Sequence, residues 1–276
     1  MTQMKIHRGK QVLPKDVIIS ILVRLPVRSL IRFQCVCKEW KFRFRSPSFI
    51  AEHLQHSAHQ EPFLFFDDYG KFEPYRAYLL NCEMRVVEIP SDPYVDTVRC
   101  VWAVNSCNGL ICLALSTLPP TLFLYVWNPA IREARLVHGG EDYLEDENFH
   151  IGFGFSSTVN DYKIVKIRDC DYGCLVSHVE VYSLNIGTWK EVEFGKLDDV
   201  VISSDGFNFN GAIFWIGSKL GADEDEDDID IIVSFDIATE LFTLIPMPPL
   251  PFPVTYGLYR KYLTIYENKL LCYLIL

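Results

Sequence analysis

Four stretches of the sequence share one layout, and this repetition constrains the fold more than any other feature. They are YLLNCEMRVVEI (Tyr78 to Ile89), YVWNPAIREARLV (Tyr125 to Val137), VYSLNIGTWKEV (Val181 to Val192) and SFDIATELFTLI (Ser234 to Ile245), aligned on Asn81, Asn128, Ser183 and Asp236. Each reads as an apolar strand, a polar residue that opens a turn, a short loop and a second strand ending in aliphatics. The intervals are 47, 55 and 53 residues. Each of the last three is preceded by a further hairpin with an Asn, Asp or Gly turn: NSCNGLICLA, GFSSTVNDYKIVKI and FNFNGAIFWIG. Two hairpins per ~50 residues describe the four-stranded blade of a kelch-type β-propeller.

The β texture fills everything beyond Pro62, with PFLFF, RVVEIP, LFLYVW and DIIVSF among at least fourteen short strands and no helical period between them. The last piece, YLTIYENKLLCYLIL, reads as the first hairpin of a fifth repeat without its second hairpin, giving about four and a half repeats. A propeller closes because an open ring leaves strand edges unpaired, so a longer parent protein is expected. By the same reasoning the isolated β domain is expected to aggregate through this edge.

Residues 1–60 differ in texture and in charge. They hold eleven Lys/Arg against three Asp/Glu, a balance of +8, whereas the net charge of the whole chain is −10, leaving −18 for residues 61–276. Pro14 suits a first helical turn, and Val17, Ile18, Ile21, Leu22 and Leu25 recur at helical spacing up to the stop at Leu25-Pro26. Leu30, Phe33, Cys37, Trp40 and Phe44 form a second helical stripe with a bend near Gln34 to Val36. SPSFIAEHL adds a short third helix with Phe49, Ile50 and Leu54 inward. The expected fold is a small three-helix head (residues 1–60) followed by an all-β kelch-like propeller domain (61–276), incomplete at its C-terminus. A segment of ~40 residues rarely supplies its own core, so the head's apolar stripe calls for a cover.

No run of ~18 uncharged apolar residues exists, and MTQMKIHRGK is not followed by a signal-peptide core, so a cytoplasmic or nuclear protein without a membrane association is expected. The nine cysteines contain no CxxC pair and read as small buried hydrophobes rather than disulfides or zinc ligands. The basic head lacks aromatic stacking platforms or a base-reading helix, which argues against nucleic acid and for an acidic protein partner.

Taken together, LPKDVIISILVRLPVRSLIRFQCVCKEW with the following SPSF resembles the F-box motif. SCNGLICL, VWNPAIRE, GFGFSSTVNDYKIVKI, VYSLNIGTWKEV and SFDIATELFTLIPMP resemble the F-box-associated region of plant F-box proteins. The resemblance covers nearly the whole chain. It implies a non-catalytic substrate-recognition subunit of a Skp, cullin and F-box (SCF) ubiquitin ligase. The head would bind the Skp adaptor, acidic as a family, and through it a cullin, while the β domain would hold a protein substrate. By that analogy the adaptor face comprises Leu13, Pro14, Ile18, Leu22, Leu25, Leu30, Val36 and Cys37. One departure from the family pattern is Arg43-Phe44 after Trp40, where aliphatics are usual; the stem of Arg43 can pack with its head group in water. Among plant relatives, S-locus pollen F-box proteins, which recognise basic pistil ribonucleases, fit the acidic domain; stress or defence adaptors fit it as well.

Several motifs have plainer readings. The run Asp223, Glu224, Asp225, Glu226, Asp227, Asp228 lacks the Gly and distal Glu of a calcium loop; it reads as a solvated loop or as a docking site for a basic substrate acting through its field. His53, His56 and His59 read as a solvated linker rather than a metal site. GFGF (Gly152 to Phe155) and Asn108-Gly109 read as tight β turns, and Trp127, Trp189 and Trp215 as blade core. No metal, cofactor or catalytic constellation emerges. A lectin-like or general protein-binding propeller is the alternative function, because aromatics at a propeller mouth stack on sugars.

Overall fold

The computed structural model describes residues 13–57, 64–67, 77–81, 83–88, 98–117, 122–138, 149–170, 175–195, 197–221, 228–247 and 260–275. The chain divides into two compact units, Met1–Pro62 and Phe63–Leu276.

The first unit is helical: α1 (Lys15–Leu22), α2 (Val27–Phe33), α3 (Lys38–Arg43) and α4 (Pro47–Ser57). Pro14 and Pro26 each stand at the N-cap, where a missing N–H costs nothing. The second stripe of the sequence is two helices rather than one. Its bend is a non-helical stretch from Gln34 to Cys37, after which the Cys37 sulfur caps α3 by accepting from the Trp40 N–H at 3.5 Å. Contrary to the expectation from length, this unit has its own small core. Leu22, Val23, Leu30, Phe44 and Phe49 are buried together, with Ile18, Ile19, Leu25, Phe33 and Trp40 packed against them. Four large aromatics and closely spaced turns let so short a chain bury this much. In α4 the inward residues are Phe49 and His53, whereas Ile50 faces out. His53 is therefore no linker residue: its ring stacks on Phe49 and its Nε2 lies 3.0 Å from the Leu25 carbonyl oxygen.

The second unit is a series of antiparallel sheets met in chain order. The first holds β1 (Leu64–Asp67), β2 (Ala77–Leu80) and β3 (Val86–Glu88). The second holds β4 (Val98–Cys107), β5 (Leu110–Thr117), β6 (Leu122–Asn128) and β7 (Glu133–His138). The third holds β8 (Phe149–Ser156), β9 (Asp161–Asp169), β10 (Val176–Ser183) and β11 (Thr188–Glu191). The fourth has β12 (Val200–Ile202) and β13 (Phe207–Phe209) side by side along β14 (Ala212–Lys219), then β15 (Ile229–Asp236) and β16 (Leu241–Pro246). A last hairpin joins β17 (Arg260–Tyr266) to β18 (Lys269–Ile275).

The aligned turns obey one local chemistry. Asn81 Oδ1 accepts from the backbone N–H of Glu83 and Arg85, Asn128 Oδ1 from Ala130, Ser183 Oγ from Ile186 and Asp236 Oδ1 from Thr239. Each opener thus replaces a strand partner with a side-chain bond, which is why Asn, Ser and Asp recur at these positions. Asn108-Gly109 is a two-residue turn with both φ positive, at 51° and 78°, as expected.

Three cores lie between successive sheets. Ile111, Leu113 and Leu115 of β5 pack towards Leu79 of the first sheet, whereas Cys112 and Ala114 on the other face pack towards Ile151 and Phe153 of the third. Val165, Ile167, Val179 and Val181 of the third sheet meet Ile213, Trp215, Val233 and Phe235 of the fourth. Strands covered on both faces need no polar alternation, so they appear in sequence as continuous aliphatic runs. Trp127 and Trp215 are buried in these cores, and Trp189 packs on Tyr182 with ring centroids 5.3 Å apart. GFGF is not a turn. It lies inside β8, where a Cβ on Gly152 would stand 2.5 Å from Trp215 Cζ2, so the glycine permits the fourth sheet to approach. An ion cluster that runs from buried Lys163 to exposed Lys190 ties the same two sheets: Lys163 Nζ bonds Glu240 Oε1 at 2.6 Å and the Ile237 carbonyl at 2.8 Å, and Lys190 pairs with the other oxygen of Glu240. Among the cysteines, Cys112 is buried as expected, whereas Cys35, Cys37 and Cys170 are exposed. No helix among the described residues is long and apolar enough to cross a membrane.

Candidate functional site

The helical unit carries more apolar surface than its core uses. In α1, Ile18, Ile19, Leu22 and Val23 face the core. Val17 and Ile21 form a second strip on the other side of the helix and are 43% and 49% exposed, and Leu13, just before the helix, is 55% exposed. Val36, in the bend after α2, is 64% exposed.

The eight residues expected on the adaptor face therefore fall into three groups. Leu13, Pro14, Val36 and Cys37 are exposed; Ile18 and Leu25 are half-buried against the core; Leu22 and Leu30 are buried at 3% and 6%. The last two hold the head together and are unavailable to a partner unless the head reopens. Val17 and Ile21 were missed as surface residues, although their spacing from Leu13 was the available signal. Arg43 lies half-buried beside Glu39, 3.7 Å away, consistent with a packed stem.

In the β unit the first strands of successive sheets gather: β4, β8 and β13 lie against one another, and β17 lies against β13 and β14. Beside them opens a cleft of about 800 Å³, lined from β4 by Val104 and Asn105, from β14 by Ile216 and Ser218, from β15 and the residue before it by Asp230 and Asp228, and from β17 by Arg260, Lys261 and Tyr262. Its remaining wall is Ser203–Phe207.

That wall exists because the first strand of the fourth sheet is broken. β12 ends with Ile202 opposite Gly217, and β13 begins with Phe207 opposite Phe214. Four residues, Ser203 to Gly206, therefore face only Trp215 and Ile216, a large bulge. It is pinned at every side. The Ser203 N–H donates to the Ile216 carbonyl at 2.9 Å, Ser204 Oγ accepts from the Ile216 N–H at 2.8 Å, and the Gly206 N–H reaches across to Ile151 O of β8 at 2.8 Å. Asn105 Nδ2 donates to Gly206 O at 2.9 Å. Gly206 is jammed between sheets: an added Cβ would stand 2.5 Å from the Gly152 Cα.

The charges in the cleft are partly settled. Lys261 pairs with Asp230. Near the bulge, His150 Nε2 of β8 lies 3.3 Å from Asp169 Oδ2. Crowding by protein raises the Asp205 carboxyl above its ordinary range, and His150 partly offsets this. Of the acidic run, Asp223, Glu224, Asp225, Glu226 and Asp227 lie outside the described residues; Asp228, at their border, is exposed and lines the cleft. Among the described residues no group of three or more His, Cys, Asp or Glu side chains could hold a metal ion.

The chain therefore has two modules, a helical head with a spare apolar strip and a series of antiparallel sheets whose first strands gather together. Two families match in register with these modules: the F-box domain over residues 11–51, and the F-box associated beta propeller domain over residues 74–275. The chain belongs to the F-box proteins with an F-box-associated β-propeller domain. Similar proteins include an F-box/LRR-repeat/kelch-repeat protein of Arabidopsis thaliana, 28% identical over 237 residues, covering 86% of this chain and 60% of the relative. An F-box protein of the same plant is 30% identical over 250 residues, with the same coverages of 86% and 60%. The chain thus spans about 60% of the length of these relatives. Among solved structures, TolB from Acinetobacter baumannii aligns over 78% of this chain and 52% of its own at 13% identity with a TM-score of 0.39, too distant to define the fold.

Proposed function

We propose that the chain is the substrate receptor of an SCF-type ubiquitin ligase, with residues 1–60 as the adaptor-binding F-box and residues 61–276 as the substrate-binding domain. The observation that carries this reading is the exposed apolar set Leu13, Val17, Ile21 and Val36 in a unit that has a buried core of its own. A Skp adaptor laid on that set removes it from water, at roughly 25 cal/mol per Å² of apolar area. Pro14 and Cys37 border the contact, and Leu22, Leu25, Leu30 and Ile18 support it from within. The excess of basic residues in the head complements an acidic adaptor. The chain itself transfers no ubiquitin in this reading; a cullin complex recruited through the adaptor does so. The substrate contacts the cleft of the β unit, which Asp228 lines, and the acidic run Asp223 to Asp228 draws basic proteins by its field.

The experiment is co-expression of the full chain with a plant Skp adaptor, followed by reconstitution with a cullin and assay of substrate ubiquitination. A stable equimolar complex supports the reading; absence of any complex with several plant adaptors refutes it. Phe207 and Tyr262 in the cleft also carry the sugar-binding alternative, which binding on a glycan array without adaptor binding would favour.

A further inference from the structure

We propose that the cleft is a receptor for a lysine or arginine side chain on an extended peptide, with Asp205 as the carboxylate that pairs with the cation. This inference deepens the substrate-receptor reading for the β unit, but its chemistry does not depend on adaptor binding.

The first observation is the break in the first strand. A four-against-two bulge gives up ladder bonds along the edge strand of the fourth sheet, and bulges of this kind re-aim side chains beside functional sites. Here the residues on either side of Asp205 are bonded in place: Ser204 through its hydroxyl to the backbone of β14, Gly206 through its N–H to β8. The carboxylate is presented from a backbone that cannot relax, because Gly206 has no room even for a methyl group. A ligand meeting such a group loses little to ordering the site.

The second observation is what faces Asp205. Among the described residues its carboxylate has neither an ion pair nor a hydrogen bond. The nearest basic group, His150, is already held by Asp169, and Lys261 is held by Asp230. Among the described residues, the charges of the cleft that make no ion pair are Asp205 and Asp228 against the exposed Arg260. Asp205 reaches solvent at the cleft, and the protein packed around it raises its carboxyl, so a cation arriving in the cleft would favour its charged form.

The third is the shape of the lining. Phe207 and Tyr262 give apolar ring surface along which the methylene stem of Lys or Arg can lie, with the cation ending at carboxylate. Ser218 supplies a hydroxyl for the main chain of the peptide, whereas the Ser203 and Ser204 hydroxyls already donate to the Ile216 and Asp205 carbonyls. An anionic ligand is disfavoured because Lys261 is already paired with Asp230, and two carboxylates, Asp205 and Asp228, face the exposed Arg260. A volume of about 800 Å³ accommodates two to three residues of an extended chain rather than a folded surface.

The test uses the full chain with its adaptor and three fluorescent peptides, identical except for a central arginine, citrulline or glutamate, in anisotropy titrations at two salt concentrations. The arginine peptide should bind at least about tenfold tighter than the citrulline peptide, because a charge-assisted bond is lost. Asp205→Asn should remove at least about tenfold of that affinity and Asp205→Glu should retain most of it. Glu267→Gln, in the β17–β18 turn, removes the same charge from the far end of the hairpin and should change binding less than about twofold. A melting curve of Asp205→Asn matching the parent shows that the loss is local; if that variant fails to fold, a tenfold preference of the parent for arginine over citrulline that collapses in Tyr262→Ala still supports the site. Equal binding of arginine and citrulline peptides, equal losses in Asp205→Asn and Glu267→Gln, or no binding by the parent overturns the proposal. Adaptor binding is measured in the same samples, so failure of the cleft and failure of the ligase reading are told apart.

Discussion

The head and the β unit solve the same problem differently. Both present apolar residues on two faces of their elements, but in the second and third sheets of the β unit each face meets a neighbouring sheet, whereas in α1 only one face is covered. Ile164, Val165 and Ile167 of β9 are fully buried because repeats lie on either side. Val17 and Ile21 of α1 stay near half exposed because no described residue of their own unit covers them. Repetition lets a chain satisfy itself, and the absence of repetition leaves a surface that another protein can complete. Apolar surface is thus informative only after the local core has been counted.

The largest expected effect breaks the comparison within α1 itself. Leu22→Asp buries an uncompensated carboxylate in the head's core and should abolish the head's melting transition together with adaptor binding. Val17→Asp, one turn away on the other face, should change stability by no more than ~0.5 kcal/mol yet weaken adaptor binding at least about tenfold. Calorimetry and adaptor titration of the two variants separate core from interface. Equal behaviour of the pair would show that the two faces of α1 are not distinct.

How much of this was legible depends on the range of the interactions involved. The hairpins were legible because Asn81, Asn128, Ser183 and Asp236 act on backbone groups two to four residues away, a distance a sequence window contains. The helices were legible from their period, but which apolar face turns inward was not: Leu22 and Val17 are equivalent in hydropathy pattern, and only Phe44 and Phe49, brought back by the turns, decide between them. His53 was misread because a polar type in a polar stretch gives no hint of the Leu25 carbonyl 28 residues earlier. GFGF was misread because its constraint, Trp215, lies in another sheet. The cleft was illegible for the same reason. Asn105, Asp205, Asp228 and Lys261 come from separate connections and strands, and no local period links them.

A second prediction concerns the satisfied side of the comparison. Trp215 has no exposed surface and fills the space between the third and fourth sheets. Trp215→Ala should cost about 3–5 kcal/mol, read from denaturant midpoints, while the head keeps its affinity for the adaptor. Loss of adaptor binding in this variant would mean that the two units do not respond independently.

The ion cluster between the same sheets should make the β unit acid-sensitive in a defined direction. Burial alone would raise the Glu240 carboxyl, but hydrogen bonds from Lys163 and Lys190 outweigh it and hold it below its ordinary 4.5. The native state therefore binds the proton less readily than the unfolded chain. Stability from this group is present above pH 4.5 and is lost as the pH falls through the depressed native value. Denaturant midpoints followed from pH 6 to pH 3 should fall more steeply for the parent than for Glu240→Gln, and parallel curves would remove Glu240 from the account.

The smallest effect tests whether apolar pattern or neighbours determine burial. The strand β18, KLLCYLI, is as aliphatic as β9, yet Leu271, Tyr273 and Ile275 are 45%, 39% and 51% exposed, because among the described residues β18 pairs with β17 alone. Leu271→Lys should therefore shift the stability of this 276-residue chain by no more than about 0.5 kcal/mol, the range of an ordinary surface change. The same substitution at Ile167 of β9, whose side chain is enclosed by two sheets, leaves an ammonium without water or partner and should prevent cooperative folding. Thermal melts of the two variants decide the matter. A large loss in Leu271→Lys would show that its face is covered in solution, and the contrast drawn between a strand with neighbours and a strand without them would no longer hold.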